Sequence, residues 1–210
     1  MKDARGLDVS ANDPAAVAAA DDFAARLLRL DQGVEGILEA AKHWPGTSII
    51  QLYAAAFWLY GQTDGARETA AAHLRTCEAL AMNGRERALH RALALWHGND
   101  NLCAVEALEA ITAEWPGDLL TAKLAEFLYY VLGQQFMGPR FRAHMRRLEP
   151  AHAEDPGMSR PTRPGHGRGG ASGSDRLFFC ALSKTHFGYR VQFAILDTGR
   201  SLGRILVSLL

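Results

Sequence analysis

The tripeptide Trp-Pro-Gly occurs twice, at Trp44-Pro45-Gly46 and Trp115-Pro116-Gly117, 71 residues apart. Proline lacks the N–H that a helix uses and restrains the residue before it, so each copy stops a helix. Gly61, Gly98 and Gly133 recur at spacings of 37 and 35, each closing an apolar stretch. Sequence periods of about 20–50 residues mark stacked supersecondary units. Punctuation this regular leaves the chain little choice but a row of similar helical hairpins.

The segments between the stops read as helices. Asp13-Pro14 is an N-cap acceptor followed by proline at the first helical position, and Phe23, Leu27, Leu28 and Leu30 form a stripe over 13–30. A short helix over 34–43 carries Val34, Ile37 and Leu38. The next, 48–60 with Thr47 as its cap, is apolar nearly all round (Ile49, Ile50, Tyr53, Phe57, Trp58, Tyr60), so neighbours must cover it on several sides. Asp64 opens a helix to about 81, Asn83-Gly84 breaks the chain, and 85–97 follows. Asp100 or Asn101 caps 102–114, Asp118 caps 119–132, and a last helix spans about 137–149. About eight helices joined by short loops make antiparallel pairs that stack into a right-handed α-solenoid, the expected architecture, with a bundle of helical hairpins as the alternative that fits the same helices almost as well.

The register is that of a tetratricopeptide-like repeat, a helix pair of about 34 residues with small residues where its helices cross. Ala54 and Ala66 fall at those positions in one unit, Ala104 in the next after one inserted residue, and Gly138 in the last, with Pro116 and Pro150 at unit ends. The middle unit is degenerate, with Arg87, His90 and Arg91 where apolar packing is expected. Gly6-Leu7-Asp8-Val9-Ser10, then Gly33-Val34-Glu35-Gly36-Ile37-Leu38, then Tyr53-Ala54-Ala55-Ala56, in that order, resemble the start of the tetratricopeptide repeat protein 38 family. The resemblance covers residues 1–156. It implies a cytoplasmic α-solenoid and carries over no catalytic residue.

Charge and composition divide the chain. Basic and acidic residues balance at 23 each, so no global basic field points to nucleic acid. Residues 157–210 nonetheless hold eight Lys/Arg and two acids, and only three alanines against 32 in residues 1–156. No run of about 18 apolar residues is present, so no membrane span is expected. The first residues lack the apolar core of a signal peptide. Cys77, Cys103 and Cys180 are odd in number and widely spaced, which suits buried thiols in a reducing cytoplasm.

Motifs for chemistry are weak. Residues 165–170 satisfy GxGxxG, but Pro161 and Pro164 precede them where a dinucleotide site needs a strand. His90 and His97 stand seven apart, and a zinc site wants ligands one turn apart; they read as packing histidines, and the acids read as outer-face residues. Arg140, Arg142, Arg146 and Arg147 cluster on the last helix, as a solvated face. No catalytic, cofactor or metal residue is assigned. The expected interaction surface is the groove lined by the first helix of each pair, where Gln51, Trp58, Arg85, Trp96, Lys123 and Tyr130 are the candidates. Ala55, Ala92 and Phe127 stand where a carboxylate clamp needs asparagine, which argues against a C-terminal carboxylate partner.

Three parts are therefore expected: a helical repeat domain over 1–156, a Gly/Pro/Arg-rich disordered linker over 157–176, and a non-repeat tail over 177–210, with a strand within 189–195 and a short helix over 202–209. A reading-frame change after codon 156 would produce such a tail, leaving the solenoid cut short and able to self-associate through an uncapped last repeat; the alternative is a genuine linker and a small lineage-specific appendage. The expected function is a non-catalytic scaffold binding a protein or peptide. The alternative is the solenoid portion of a larger enzyme or metabolite-binding protein whose active site lies elsewhere.

Overall fold

The computed structural model describes residues 1–133 and 138–152, together with the backbone of 192–195 and 203–206. Eight α-helices follow one another among the described residues: α1 (Pro14–Arg29), α2 (Gly36–His43), α3 (Ser48–Gly61), α4 (Ala66–Glu78), α5 (Gly84–His97), α6 (Asn101–Glu114), α7 (Leu119–Leu132) and α8 (Pro139–Leu148). A 3-10 turn, Glu149–His152, closes the series. Helices α1 to α7 each pack on their sequence neighbours, and α8 packs on α6 and, through Phe141 against Tyr129, on α7, as in an α-solenoid. The fourth helix is shorter than its sequence suggests. Asp64 does not cap it; the chain enters through Gly65, whose φ of 72° suits glycine, and helical geometry ends at Glu78.

The two Trp-Pro-Gly stops are one turn made twice. Trp44 has φ −120° and ψ 63°, and Trp115 has φ −122° and ψ 75°. In each, the tryptophan N–H closes on the helix it ends, Ala40 or Ile111, and its carbonyl accepts the amide of residue 47 or 118. Trp44 also donates its indole N–H to Asp13 at 2.8 Å, which fixes the start of α1 to the end of α2.

Burial follows the apolar pattern. On α3 only Trp58, Tyr60 and Gly61 are less than buried, and α7 buries Leu119 through Glu126 without a break. The expected crossing residues Ala54, Ala66 and Ala104 are all buried. Truncating a fully buried side chain such as Ile50 or Leu124 to alanine should cost about 2–5 kcal/mol. The degenerate helix α5 resolves itself by rotation: Leu89, Ala92, Leu93 and Trp96 form its buried stripe, while Arg87 and Arg91 are exposed.

The odd-numbered helices lie close together. Tyr53 and Leu120 line one cavity, and Tyr60 stacks on Phe127 with ring centroids 4.4 Å apart, so α3 and α7 run side by side in the same direction. Arg85 meets Asp118 and Trp96 meets Phe127 (5.6 Å), which sets α5 in that direction too. Helix α1 packs on both α3 and α7. The rings of Tyr60, Trp96 and Phe127 fill the space that an open solenoid would leave as a groove.

Helix α8 buries Phe141, His144, Met145 and Leu148 and turns Arg142, Ala143, Arg146 and Arg147 outward. This outward face is charged, in line with the solvated arginine face expected of the last helix; the residues that would follow the last repeat lie outside the described residues. In the tail, β1 (Gln192–Ile195) pairs antiparallel with β2 (Gly203–Leu206), Phe193 opposite Ile205. The strand expected within 189–195 is present, but the short helix expected over 202–209 is not: residues 203–206 pair their backbone across strands, and an isolated short helix nucleates poorly. The GxGxxG at 165–170, Cys180 and the linker over 157–176 lie outside the described residues.

Candidate functional site

The six residues expected in a groove are placed in separate packing settings. Gln51 is buried, donating to the Ala41 carbonyl (3.0 Å) and meeting His73 Nδ1 through its oxygen (2.7 Å). Trp58 is half-buried beside Phe57, and its buried indole N–H has no hydrogen-bond partner among the described residues. Trp96 belongs to the ring stack, and Tyr130 is half-buried against the core. Lys123 is 2 % exposed and pairs with the equally buried Glu126 at 2.7 Å. Burial pushes the Glu126 carboxyl up to about 7, while Lys123 pulls the other way. Arg85 belongs to a site that reaches another segment of chain.

That segment is the N-terminal arm, residues 1–11, which the sequence reading did not assign to the site. Its turn is built by Asp3, whose Oδ1 accepts the amides of Arg5 (2.9 Å) and Leu7 (2.8 Å). Val9 and Ala11 are buried. The arm crosses the head of α5, where Asn83 and Glu86 form a capping box. Such a reciprocal pair satisfies two orphan helix donors, and the Asn-x-x-Glu spacing was visible in the sequence, where it was read only as a break.

Three side chains at this head each face two ways. Asn83 accepts the Glu86 amide with Oδ1 (2.9 Å) and donates from Nδ2 to the Asp8 carbonyl (2.9 Å). Glu86 takes the Ser48 hydroxyl (2.9 Å) and the Asn83 amide (3.2 Å) on Oε2, and the Ser10 amide on Oε1 (2.8 Å). Arg85 holds Asp118 Oδ2 with one terminal nitrogen (2.8 Å) and reaches the Asp8 carbonyl with the other (3.3 Å). The Ser10 hydroxyl accepts the Asn83 amide at 3.0 Å. One atom of each side chain is thus fixed by the helical body, and the other reads the main chain of an extended segment.

Asp118 carries the body side of this arrangement. It follows the second Trp-Pro-Gly turn, caps α7 through Thr121 N–H (3.0 Å), and is 2 % exposed. Burial works against the Arg85 charge, but Tyr53 and Asp118 outweigh it and hold the guanidinium firmly protonated. Asp3 adds a longer contact to Arg85 at 3.8 Å. Beneath the arm lies a cavity of about 350 Å³, walled by Asp3, Arg5 and Leu7 on the arm side and by Asp21, Tyr53 and Leu120 on the helix side. Asp21 accepts the Ala4 amide there, and burial raises its carboxyl above the usual range.

A second polar network joins α6, α7 and α8. His144 Nε2 meets the Thr112 hydroxyl (2.7 Å) and Nδ1 the Tyr129 hydroxyl (3.2 Å). Tyr129 also donates to Glu109, which Arg140 grips with two nitrogens at 3.0 and 3.1 Å. Burial pushes His144 down to about 4. Part of the arginine cluster is thereby engaged within the helical body. Glu86, Asp118 and Glu126 are buried, unlike the outer-face role expected of the acids.

The remaining titratable candidates pack as ordinary side chains. His90 donates to the Leu74 carbonyl and His152 to that of Pro116. Cys77 is buried, its thiol pushed up to about 12, but Cys103 is exposed, contrary to the expectation of buried thiols. Among the described residues no three His, Cys, Asp or Glu side chains gather to hold a metal ion. No helix among them is long and apolar enough to cross a membrane. No protein-family profile, curated protein or solved structure matches the chain.

Proposed function

We propose that this chain is a non-catalytic helical-repeat scaffold, tetratricopeptide-like in register and akin to the tetratricopeptide repeat protein 38 family, that holds an extended protein or peptide segment. One observation carries the reading. Asn83, Arg85 and Glu86 are each anchored to the helical body through one atom while another donates to a main-chain carbonyl or accepts a main-chain amide. Side chains pre-set in this way bind an extended chain without first losing freedom, which is how pre-organisation raises affinity.

The contacts define a preference. The residue in the place of Asp8 gives only its carbonyl to the clamp, so many side chains fit there. The residue two positions later supplies an amide to Glu86 and a hydroxyl to the Asn83 N–H, so serine or threonine fits. An array of peptides spanning residues 5–12, with each position varied, tests this when probed with the full chain carrying Asp3→Ala, which loosens the arm. Binding should survive changes at Asp8 and fall about threefold to tenfold when Ser10 becomes alanine, the size of one lost hydrogen bond whose donor, Asn83 N–H, keeps Glu86 as a second acceptor. Absence of binding, or binding indifferent to position 10, would contradict the reading.

A further inference from the structure

The clamp is occupied by the chain itself. We propose that the N-terminal arm is an intramolecular ligand of the α5 head, and that an external extended segment bearing serine or threonine takes its place when the arm opens. The inference rests on the peptide-binding reading above and adds to it a built-in competitor.

Three observations support displacement. The arm keeps its own shape: the Asp3 carboxylate holds the amides of Arg5 and Leu7, and Asp3 N–H returns to the Leu7 carbonyl at 2.9 Å. The clamp also keeps its shape without the arm, because Ser48, Asp118 and the capping box hold Glu86, Arg85 and Asn83 from the body side. The seam between them is mostly polar and partly hollow. It comprises the Asp8 and Ser10 contacts, the longer Asp3–Arg85 contact, the Ala4 amide on Asp21, and the cavity of about 350 Å³ under Arg5 and Leu7, with Val9 and Ala11 as its buried apolar residues. A unit whose seam is largely polar opens locally, at a free energy below that of global unfolding.

Val9 and Ala11 are the apolar pins of the arm; opening lifts residues 1–10 from the clamp and takes Val9 out of the core, while Ala11 stays buried and the start of α1 stays capped by Asp13. A tethered ligand acts at an effective concentration of order millimolar, so an external peptide must compete with it. In the intact chain the arm then sets a threshold: only a segment with more contacts than residues 8–10 make, or one delivered at high local concentration, gains the site.

Hydrogen–deuterium exchange on the intact chain and titration with a labelled peptide of residues 1–11 test this together. In the wild type, the arm amides of Leu7, Val9 and Ser10 should exchange at least tenfold faster than the buried amides of α3 and α7. The peptide should bind the Asp3→Ala chain at least tenfold more tightly than the wild type, and Arg85→Met in that background should abolish binding. Arm amides as slow as those of α3 would show that the arm is a fixed part of the core and overturn the proposal. Equal peptide affinity for wild type and Asp3→Ala would overturn the competition alone, leaving peptide binding intact. Failure of both chains to bind the peptide would overturn the peptide-binding reading and the competition with it.

Discussion

At Trp44 and at Trp115 the chain makes the same turn, with tryptophan φ values of −120° and −122°, yet residue 47 is a threonine whose side chain makes no cap bond while residue 118 is an aspartate whose carboxylate holds two partners. Thr47 leaves α3 without a side-chain cap bond. Asp118 caps α7, holds Arg85, and through Arg85 reaches the arm. Trp-Pro-Gly therefore fixes a backbone device, and the residue that follows decides whether the turn is only a stop or part of a site. Repeated architecture and local specialisation are carried by different residues only one position apart.

The largest asymmetry should appear on truncating the residue after each turn. Asp118→Ala leaves the Arg85 guanidinium buried without its closest carboxylate, at a cost of about 3–5 kcal/mol, as for other broken buried pairs. Urea unfolding should show this as a lower midpoint with an unchanged slope.

Next in size is a pH effect on the α8 side, which reaches the second turn through His152 and the Pro116 carbonyl. His144 has its folded value lowered by burial from 6.5 to about 4. The unfolded chain therefore binds its proton more readily than the folded one. The contribution is present above about pH 6.5 and is lost as pH falls towards 4, on the order of 3 kcal/mol. Glu126, raised by burial to about 7, acts in the opposite sense and loses stability as pH rises from about 4.5 through 7. His144→Gln should therefore be relatively more stable at pH 4.5 than at pH 7, when each is compared with wild type by chemical denaturation.

Glu86→Ala should cost about 2 kcal/mol, since a buried charged acceptor of three hydrogen bonds is lost together with half of a capping box. Its thermal transition should drop without loss of helical circular dichroism. Thr47→Ala should be the smallest change, within about 0.5 kcal/mol, because no side-chain cap bond is lost. A Thr47→Ala cost matching that of Asp118→Ala would erase the distinction between the two turns.

Helix order was legible because its signals are local. Asp13-Pro14, the two Trp-Pro-Gly stops, Asp100 and Asp118 each act within one turn of where they stand, and all of these start or end helices as expected. The site was only partly legible. Arg85 could be singled out, but its partners Asp8 and Asp118 lie 77 and 33 residues away, and nothing periodic connects them. Trp96, Lys123 and Tyr130 were assigned to a groove by repeat position alone. Position does not reveal that Tyr60, Trp96 and Phe127 pack their rings into that space.

The central claim is that Asp118, through Arg85, makes the second turn part of a clamp on the arm. Residue-resolved hydrogen–deuterium exchange on the full chain with Asp118→Asn, beside Thr47→Ala, tests it most directly. Losing a charge-assisted hydrogen bond should release the Ser10 amide, held by Glu86, about tenfold or more in Asp118→Asn. The same amide should be unchanged in Thr47→Ala, and the α3 amides slow in both. Equal Ser10 protection in the two variants would contradict the claim.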